Sequence, residues 1–223
     1  MTRVSPLAGL AVAGAVLLTG CGSVPDLNPG VAVVVGDDSV TTRDVADLSS
    51  DYCAAAEPQL QGQPLPRHYL NGRVAGSIAL RSAADQLMAE QGVEVDASYA
   101  TAVKQAEAQL TNLTTAQRDA IVEVQGAETF VVAASVAVGR ETLGGSPSDE
   151  EAQAAGEQEF STWLDDNEVR IDPRYGVAIQ DGQAVLEDTS VSFGVSKVVS
   201  QADAEEPDAT YAAGLPSTQR CGG

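Results

Sequence analysis

The chain contains a single histidine, His68, and histidine is the side chain most often used as a general base near neutral pH. It stands between Arg67 and Tyr69. A base needs a nucleophile to activate, and no serine of the chain lies in the G-x-S-x-G pattern that presents one at a sharp turn. We therefore favour a surface or helix-cap position for His68, and we predict that the protein is not an enzyme.

Three acidic clusters are the next candidates, because carboxylate oxygens are the preferred ligands of hard cations. They are Asp37-Asp38, Asp149 to Glu151 and Asp165-Asp166. None has the spacing of a calcium loop, and a turn, a helix cap and a solvated helix face explain them. The cysteines and the histidine are also too far apart in sequence for a zinc-ligand pattern. We predict no metal site and no small-molecule cofactor.

The first cysteine, Cys21, ends a segment that is typical of export. Arg3 supplies one positive charge, Leu7 to Leu18 is an apolar run too short to anchor a protein across a bilayer, and Leu18-Thr19-Gly20-Cys21 follows. This segment resembles the signal peptide and lipobox of bacterial lipoproteins. The resemblance implies cleavage before Cys21, a diacylglyceryl thioether on its sulfur, and a lipid-anchored protein on the extracytoplasmic face of the cell membrane. The alternative is an ordinary secretory signal, but no A-x-A cleavage site follows the apolar run.

The full chain is strongly acidic, with 12 Lys and Arg against 32 Asp and Glu and a net charge of −20. Such a charge excludes nucleic acid as a partner and opposes a surface lying flat on anionic lipid, since both would be repelled. It favours solubility or a basic partner. The stretch Gly22 to Gly30 is rich in Gly, Pro, Ser and Asn, so we expect a short flexible tether between the lipid and the folded domain.

Cys53 and Cys221 remain once Cys21 is assigned to lipid. Outside the cytoplasmic membrane, two thiols of one chain more often pair than stay free. We predict a disulfide that ties the C-terminal tail to the first helix. The alternative is that the two thiols are unpaired or form bonds between chains.

Two distant stretches predict a small sheet. Val31 to Val45 (VAVVVGDDSVTTRDV) reads as a strand, a tight turn, a short return strand and a helix with Thr41 or Thr42 as its N-cap. Val169 to Gly176 (VRIDPRYG) alternates β-branched and charged residues before a turn at Pro173 to Gly176. We predict that the two stretches pair and so join the two ends of a helical domain.

The segments between them predict five helices. Hydrophobic residues make up 43% of the chain but aromatic residues only 4%, so we expect a helical core of small side chains. We expect helices from about Thr42 to Gln61, from Pro66 to Gly92, from Asp96 to Leu110, from Thr114 or Thr115 through Val138 to Gly144-Gly145, and from Ser148 to Leu164. The third of these helices should face inward through Tyr99, Val103, Ala106 and Leu110. The fold class is therefore mainly α, with one small sheet that pairs N-terminal and C-terminal strands.

The order and separation of these motifs resemble the N-terminal chaperone domain of SurA- and PrsA-type envelope foldases. In that family a valine-rich strand is followed by a turn and by a threonine that precedes a helix. This strand pairs with a strand that follows the last helix, and a Pro-Arg-Tyr/Phe-Gly turn often comes next. The resemblance covers Val31 to Gly176. The matching residues are Val33 to Val35, Asp37, Val40, Thr41, Val45, Pro173, Arg174, Tyr175 and Gly176.

The chain departs from this family in one respect. Many members carry a parvulin-type prolyl isomerase domain before the returning strand, and its active site uses a pair of histidines. Here the fifth helix leads almost directly into Val169, and His68 is the only histidine. The resemblance therefore implies a foldase-like role without isomerase activity.

These expectations combine into one organisation. Residues 1–20 are a signal peptide, 21–30 a tether, 31–176 the helical chaperone-like domain and 177–223 a partly ordered acidic extension. The expected function is a lipid-anchored holdase whose partners are unfolded or secreted polypeptides. The alternative is a structural or adaptor lipoprotein that docks one dedicated envelope partner, and fold resemblance alone does not separate the two.

Overall fold

The computed structural model describes residues 30–187 and 208–223. The predicted signal peptide, Cys21, the tether before Gly30 and the segment 188–207 lie outside the described residues. The described part is mainly α-helical with three small antiparallel sheets, which confirms the predicted fold class. Its helices are α1 (Thr42–Ala56), α2 (Arg67–Gln91), α3 (Ala97–Gln109), α4 (Thr115–Gln125), α5 (Ala127–Leu143), α6 (Asp149–Asp166) and α7 (Ala209–Gly214). Its strands are β1 (Val31–Val35), β2 (Asp38–Thr41), β3 (Leu65–Pro66), β4 (Val169–Ile171), β5 (Val177–Gln180), β6 (Gln183–Leu186) and β7 (Arg220–Cys221).

The largest sheet joins the two ends of the helical region, as the sequence predicts. Its order is β2-β1-β4, and both pairings are antiparallel. Val34 lies opposite Ser39 on one side and Arg170 on the other. The central strand β1 buries Val33 and Val35 against the helices, which explains the valine-rich run at this position.

Helix α1 begins at a capping box. The Asp44 amide donates to Thr41 Oγ1 over 3.2 Å, and the Thr41 amide donates to Asp44 Oδ2 over 3.0 Å. The helix ends at Ala56, earlier than the predicted Gln61, and a 3₁₀ turn (Glu57–Gln59) follows. Pro58 is the physical reason, because it has no amide hydrogen with which to continue the α-helical hydrogen bonds.

Helix α2 is the centre of the molecule. It runs for 25 residues from the cap at Pro66 to Gly92, whose left-handed backbone (φ 68°) ends it. It packs against α1, α4, α5 and α6 and against all three sheets. Its buried residues are mostly small, such as Val74, Ala75 and Ala79, so neighbouring elements approach its axis closely.

The predicted long fourth helix is wrong, because the structure contains two helices there. Helices α4 and α5 meet at Gly126 with a bend of 60°. Glycine at this position permits the bend, since a Cβ would overlap the carbonyl oxygen of Val122. The bend lets α4 pack on α1 while α5 packs on α2 and α6. No single helix of the described part is long and apolar enough to cross a membrane. The bent pair α4 and α5 reaches the necessary length and apolar composition only when the two helices are taken together.

The third helix also differs from its prediction, because α3 buries no residue completely. Tyr99, Val103 and Leu110 are half-buried, and Ala106 is exposed. The helix lies over the surface of the bundle, where the Tyr99 ring is 5.7 Å from the ring of Phe130. One narrow apolar stripe on a helix rich in Ala and Gln covers other helices without entering between them.

Helices α5 and α6 form an antiparallel pair with an unusually close contact. A Cβ added to Gly139 would overlap the carbonyl oxygen of Ala152, and one added to Gly156 would overlap that of Ser135. Small residues four positions apart on both helices therefore let the two backbones touch. We call this contact, made by Ser135, Gly139, Ala152 and Gly156, the seam.

The start of α6 is fixed by its own polar contacts. The Glu151 amide donates to Ser148 Oγ over 3.3 Å, and the Ser148 amide donates to Glu151 Oε2 over 3.0 Å. Arg140 near the end of α5 pairs with Asp149 over 2.6 Å. The connection between the two helices of the seam is therefore held at both of its ends.

The C-terminal residues are attached to α1 and to β3. Cys53 of α1 and Cys221 of β7 form a disulfide, the pairing that the sequence predicts. Strand β7 pairs with β3, which places Cys221 opposite Leu65. Ala212 of α7 is fully buried, so the tail contributes apolar surface as well as a covalent bond.

Candidate functional site

The residues that the sequence singles out for chemistry are not brought together. His68 lies in the first turn of α2 and is exposed. Asp37 and Asp38 lie at the β1–β2 turn, and Asp165 and Asp166 lie in the last turn of α6. Across residues 30–187 and 208–223, no group of three or more His, Cys, Asp or Glu could hold a metal ion.

The acidic cluster Asp149 to Glu151 has a structural role. Glu151 belongs to the capping box of α6, and hydrogen bonds from Ser148 hold the pKa of the Glu151 carboxyl below its ordinary value. Hydrogen bonds from Thr41 do the same to the pKa of Asp44, as hydrogen bonds from Ser98 do to that of Asp96. These carboxylates are shifted because they cap helices, so their pKa values do not indicate catalysis.

The turn at Pro173 to Gly176 positions the next element of the chain. It is a 3₁₀ turn in which the Arg174 amide donates to Asp172 Oδ1 over 2.9 Å, and the Arg174 guanidinium pairs with Asp172 over 3.0 Å. Tyr175 is buried, and burial raises the pKa of its hydroxyl. Its carbonyl oxygen would lie 2.6 Å from a Cβ built on Gly72, so this turn needs glycine at that position of α2.

A β-hairpin follows the turn directly. Strands β5 and β6 pair around Asp181 and Gly182, both of which have positive φ (51° and 74°). The hairpin lies along α2, where a Cβ on Gly76 would be 2.6 Å from Cβ of Ala184 and 3.3 Å from Cγ2 of Val177. Two glycines of α2, one helical turn apart, thus receive the turn and the hairpin.

A cleft of about 560 Å³ opens between this hairpin and helices α2, α5 and α6. We call it the hairpin cleft. Buried apolar side chains such as Leu80 and Phe160 form its floor. The residues that line it are Tyr69, Arg73, Ser77, Leu80, Val124, Ala127, Glu128, Val131, Val132, Glu157, Phe160, Ser161, Val177, Asp181, Gly182, Gln183, Ala184 and Leu186.

The walls of the hairpin cleft expose apolar surface. Large hydrophobic side chains that stay exposed in the described part of the chain are Val132 (41%), Leu143 (51%) and Leu186 (38%). Val132 and Leu186 both line the hairpin cleft, whereas Leu143 lies at the far end of α5. Exposed apolar residues that are grouped in a concave site indicate binding more strongly than isolated ones do.

Sequence reasoning missed the hairpin side of this site because it assigned residues after Gly176 to a partly ordered extension. A signal was present, since Asp181-Gly182 stands between two short β-like runs and Asp-Gly is a preferred two-residue hairpin turn. The apolar residues of α5 carried a second signal. A helix that is apolar nearly all round, as Phe130 to Val138 is, either is covered by other helices or exposes a strip, and burial is the outcome that the sequence favours. The packing of α5 instead leaves Val132 exposed.

A second cleft of about 430 Å³, lined mainly by charged and polar residues, lies on another side of α2, and we call it the polar cleft. Arg81 pairs there with Glu123 over 3.0 Å and stacks over the Phe130 ring at 4.3 Å. Burial raises the pKa of Glu123 and of Asp85, although Arg81 opposes both shifts. Gln86 Nε2 donates to the Val35 carbonyl over 2.8 Å and so ties this side of α2 to β1. These polar groups connect elements of the fold, so we assign this cleft a structural role.

The chain matches no family model, no curated protein and no solved structure.

Proposed function

We propose that this protein is a lipid-anchored, chaperone-like holdase that binds apolar segments of unfolded or secreted polypeptides in the hairpin cleft. The single observation that carries this proposal is the exposure of Val132 and Leu186 at the walls of a cleft whose floor is Leu80 and Phe160. Unfolded chains offer the complementary apolar side chains, and burying them in such a cleft is favourable.

The size of the hairpin cleft agrees with transient binding. Its volume of about 560 Å³ accommodates only a few side chains of an extended polypeptide. Contact with so short a segment leaves most of a client free, as a holdase requires. The chain's net charge of −20 would also keep a complex soluble, because like-charged complexes repel one another.

We propose further that the fold is of the SurA and PrsA N-terminal type. Support comes from the order β2-β1-β4, in which the valine-rich first strand pairs with the strand after the last long helix, and from the 3₁₀ turn at Pro173–Tyr175 that follows. Helix α6 ends at Asp166 and β4 begins at Val169, so no inserted domain separates them. The proposed activity is therefore binding alone, without prolyl isomerisation.

The test of the holdase is suppression of aggregation. The mature chain with Cys21→Ser is added to two unrelated proteins as they unfold, and light scattering is followed. We expect protection of both clients. We expect Val132→Asp to lose most of this protection, because a carboxylate at the wall of the hairpin cleft makes burial of an apolar client costly.

Leu143→Asp is the matched control, since Leu143 is an exposed apolar residue of the same helix outside the hairpin cleft. It should protect both clients as well as the unchanged chain does. Equal loss in both variants would contradict a role for the cleft. Protection of neither client by the unchanged chain would overturn the holdase and favour the adaptor that docks one dedicated partner, which co-purification from envelope extract would then identify.

Lipid anchoring is tested separately. We expect the full chain to be found in the membrane fraction and to incorporate a labelled fatty acid, and we expect Cys21→Ala to lose both properties. Membrane association of Cys21→Ala without label would contradict the lipoprotein assignment.

A further inference from the structure

We infer that the hairpin cleft selects apolar polypeptide segments that are flanked by lysine or arginine. This inference rests on the proposed holdase function and adds the chemical class of client. It is carried by the charges at the rim of the hairpin cleft. Three carboxylates line the cleft, from Glu128 of α5, Glu157 of α6 and Asp181 of the hairpin turn, against one guanidinium, from Arg73 of α2.

The carboxylates are available to a ligand. Glu128, Glu157 and Asp181 are all exposed. In the part of the chain that the structure describes, no Lys or Arg forms an ion pair with any of them. Glu157 accepts a hydrogen bond of 2.7 Å from Gln153 Nε2, which leaves its charge in place. A cationic side chain brought by a client would therefore meet negative charge that the protein itself does not neutralise.

Two of the three carboxylates, those of Asp181 and Glu157, lie at one end of the hairpin cleft. A Cβ on Gly182 would lie 3.5 Å from Cδ1 of Phe160, so the hairpin turn with Asp181 lies over the part of α6 that carries Glu157. Arg73 belongs to the other end, because its neighbour Gly72 approaches Leu186, whose Cδ2 would be 4.0 Å from a Cβ there. A bound segment should place its cation near the hairpin turn.

The same charges argue against other occupants. A second copy of this chain carries a net charge of −20 and would be repelled, as would a segment flanked by aspartate or glutamate. An apolar segment with a basic flank gains both apolar burial and charge attraction. Its apolar residues cover Val132 and Leu186, while its cation approaches Asp181 and Glu157.

Three peptides with one apolar core test the inference, flanked by Lys-Lys, Ser-Ser or Glu-Glu at both ends. Their binding to the mature chain with Cys21→Ser is measured by fluorescence anisotropy at about 0.05 M and about 0.5 M NaCl. We expect the lysine peptide to bind about tenfold more tightly than the serine peptide at low salt, and the glutamate peptide to bind least. The difference should shrink at high salt because exposed charges are screened.

Two triple variants separate the hairpin cleft from the overall charge. Glu128→Gln, Glu157→Gln and Asp181→Asn together should remove most of the preference for the lysine peptide. Glu141→Gln, Asp165→Asn and Asp166→Asn change the net charge equally at exposed positions of α5 and α6 outside the cleft, so that variant should keep the preference.

The outcomes distinguish the inference from the function on which it rests. Equal affinities for the three peptides, with Val132→Asp weakening all of them, would overturn the inference and leave the holdase in place. Equal loss of preference in both triple variants would also overturn it, because overall charge would then be the cause. Failure of all three peptides to bind would overturn both.

Discussion

Helix α5 takes part in two regions that treat apolar surface in opposite ways. At the seam it meets α6 through Ser135 and Gly139, and the two backbones touch. At the hairpin cleft it presents Val131 and Val132, and Val132 remains 41% exposed. Val132 thus stands where much of its side chain is left uncovered, and the smallest residues stand where packing is tightest.

On this one helix, the residues that stabilise the fold are therefore different from the residues that are free to contact a ligand. The seam has no space for a ligand, and any added atom must move a backbone. The hairpin cleft has space, and its exposed valine and leucine gain nothing until another molecule covers them. We therefore expect changes at the seam to alter the free energy of unfolding, and changes at the hairpin cleft to alter binding.

The largest effect on stability should come from a bond remote from both regions. The disulfide closes a loop of 168 residues, and chain entropy gives it a contribution of about 5 kcal/mol as an upper figure. We expect Cys53→Ser with Cys221→Ser to lower the urea midpoint strongly. Neither cysteine lines the hairpin cleft, so peptide affinity at low temperature should be unchanged. Loss of affinity in a variant that circular dichroism shows to be folded would contradict the separation.

Adding one methyl group to the seam is the next largest change. Gly156→Ala should lower the free energy of unfolding by about 3 kcal/mol, because the methyl group overlaps the Ser135 carbonyl and the helices must move apart. Gly214→Ala is the control, since no atom lies within 4 Å of a Cβ built there. Equal urea midpoints for the two variants would mean that α5 and α6 are not in backbone contact.

Removing the cap of α6 weakens the seam from its end. Ser148→Ala should cost about 1 kcal/mol, because the Glu151 amide loses its acceptor. Since α6 also carries Phe160 of the hairpin cleft, peptide affinity tests whether a small loss of helix stability reaches the cleft. Thermal unfolding and peptide titration of the same preparation provide both values, and we expect only the first to change.

The smallest effect concerns the half-buried carboxyl of Glu123 in the polar cleft. The raised pKa of Glu123 means that the folded protein holds this proton more tightly than the unfolded chain does. Its contribution to stability is therefore fully present below the unfolded pKa and is lost as the pH rises through the folded pKa. The neutral variant Glu123→Gln should be at least as stable as the unchanged chain at neutral pH, with a flatter profile above the ordinary glutamate pKa of 4.5.

A clear decrease in stability of Glu123→Gln at pH 7 would contradict this expectation. It would show that the ion pair with Arg81 outweighs burial, since Arg81 is the charge that opposes the shift and Asp85 adds to it. The capping carboxylates should behave in the opposite way. The lowered pKa values of Asp44, Asp96 and Glu151 imply stability that is present at neutral pH and lost as the pH falls through their folded pKa values.

Much of the fold could be predicted because its signals are local or pair simply. Thr41, Asp96 and Ser148 are N-caps whose chemistry is written in the adjacent residues. The sheet follows from a valine-rich run, Val31–Val35, and a shorter run of alternating β-branched residues, Val169–Ile171, which pair. The bend at Gly126 could not be predicted, since a helix tolerates a single glycine and only the separate packing of α4 and α5 decides the outcome.

The candidate site was harder to predict because it depends on contacts between distant residues. Gly72 and Gly76 look like weak points of a helix until Tyr175 and Ala184 are placed against them. The carboxylates of the rim come from three separate elements, and no spacing within the sequence brings Glu128, Glu157 and Asp181 together. Local propensity fixes elements, whereas a cleft is defined by what the elements leave uncovered.

The bond between Cys53 and Cys221 has a consequence for what a protease can release from the molecule. A protease that cuts the backbone once between these residues produces two fragments that remain covalently joined. The C-terminal fragment would then stay with the fragment that carries the proposed lipid, and nicked molecules would migrate as one band on a gel until a reductant is added. If Cys21 carries lipid as proposed, a single cut between the two cysteines would leave both fragments at the membrane.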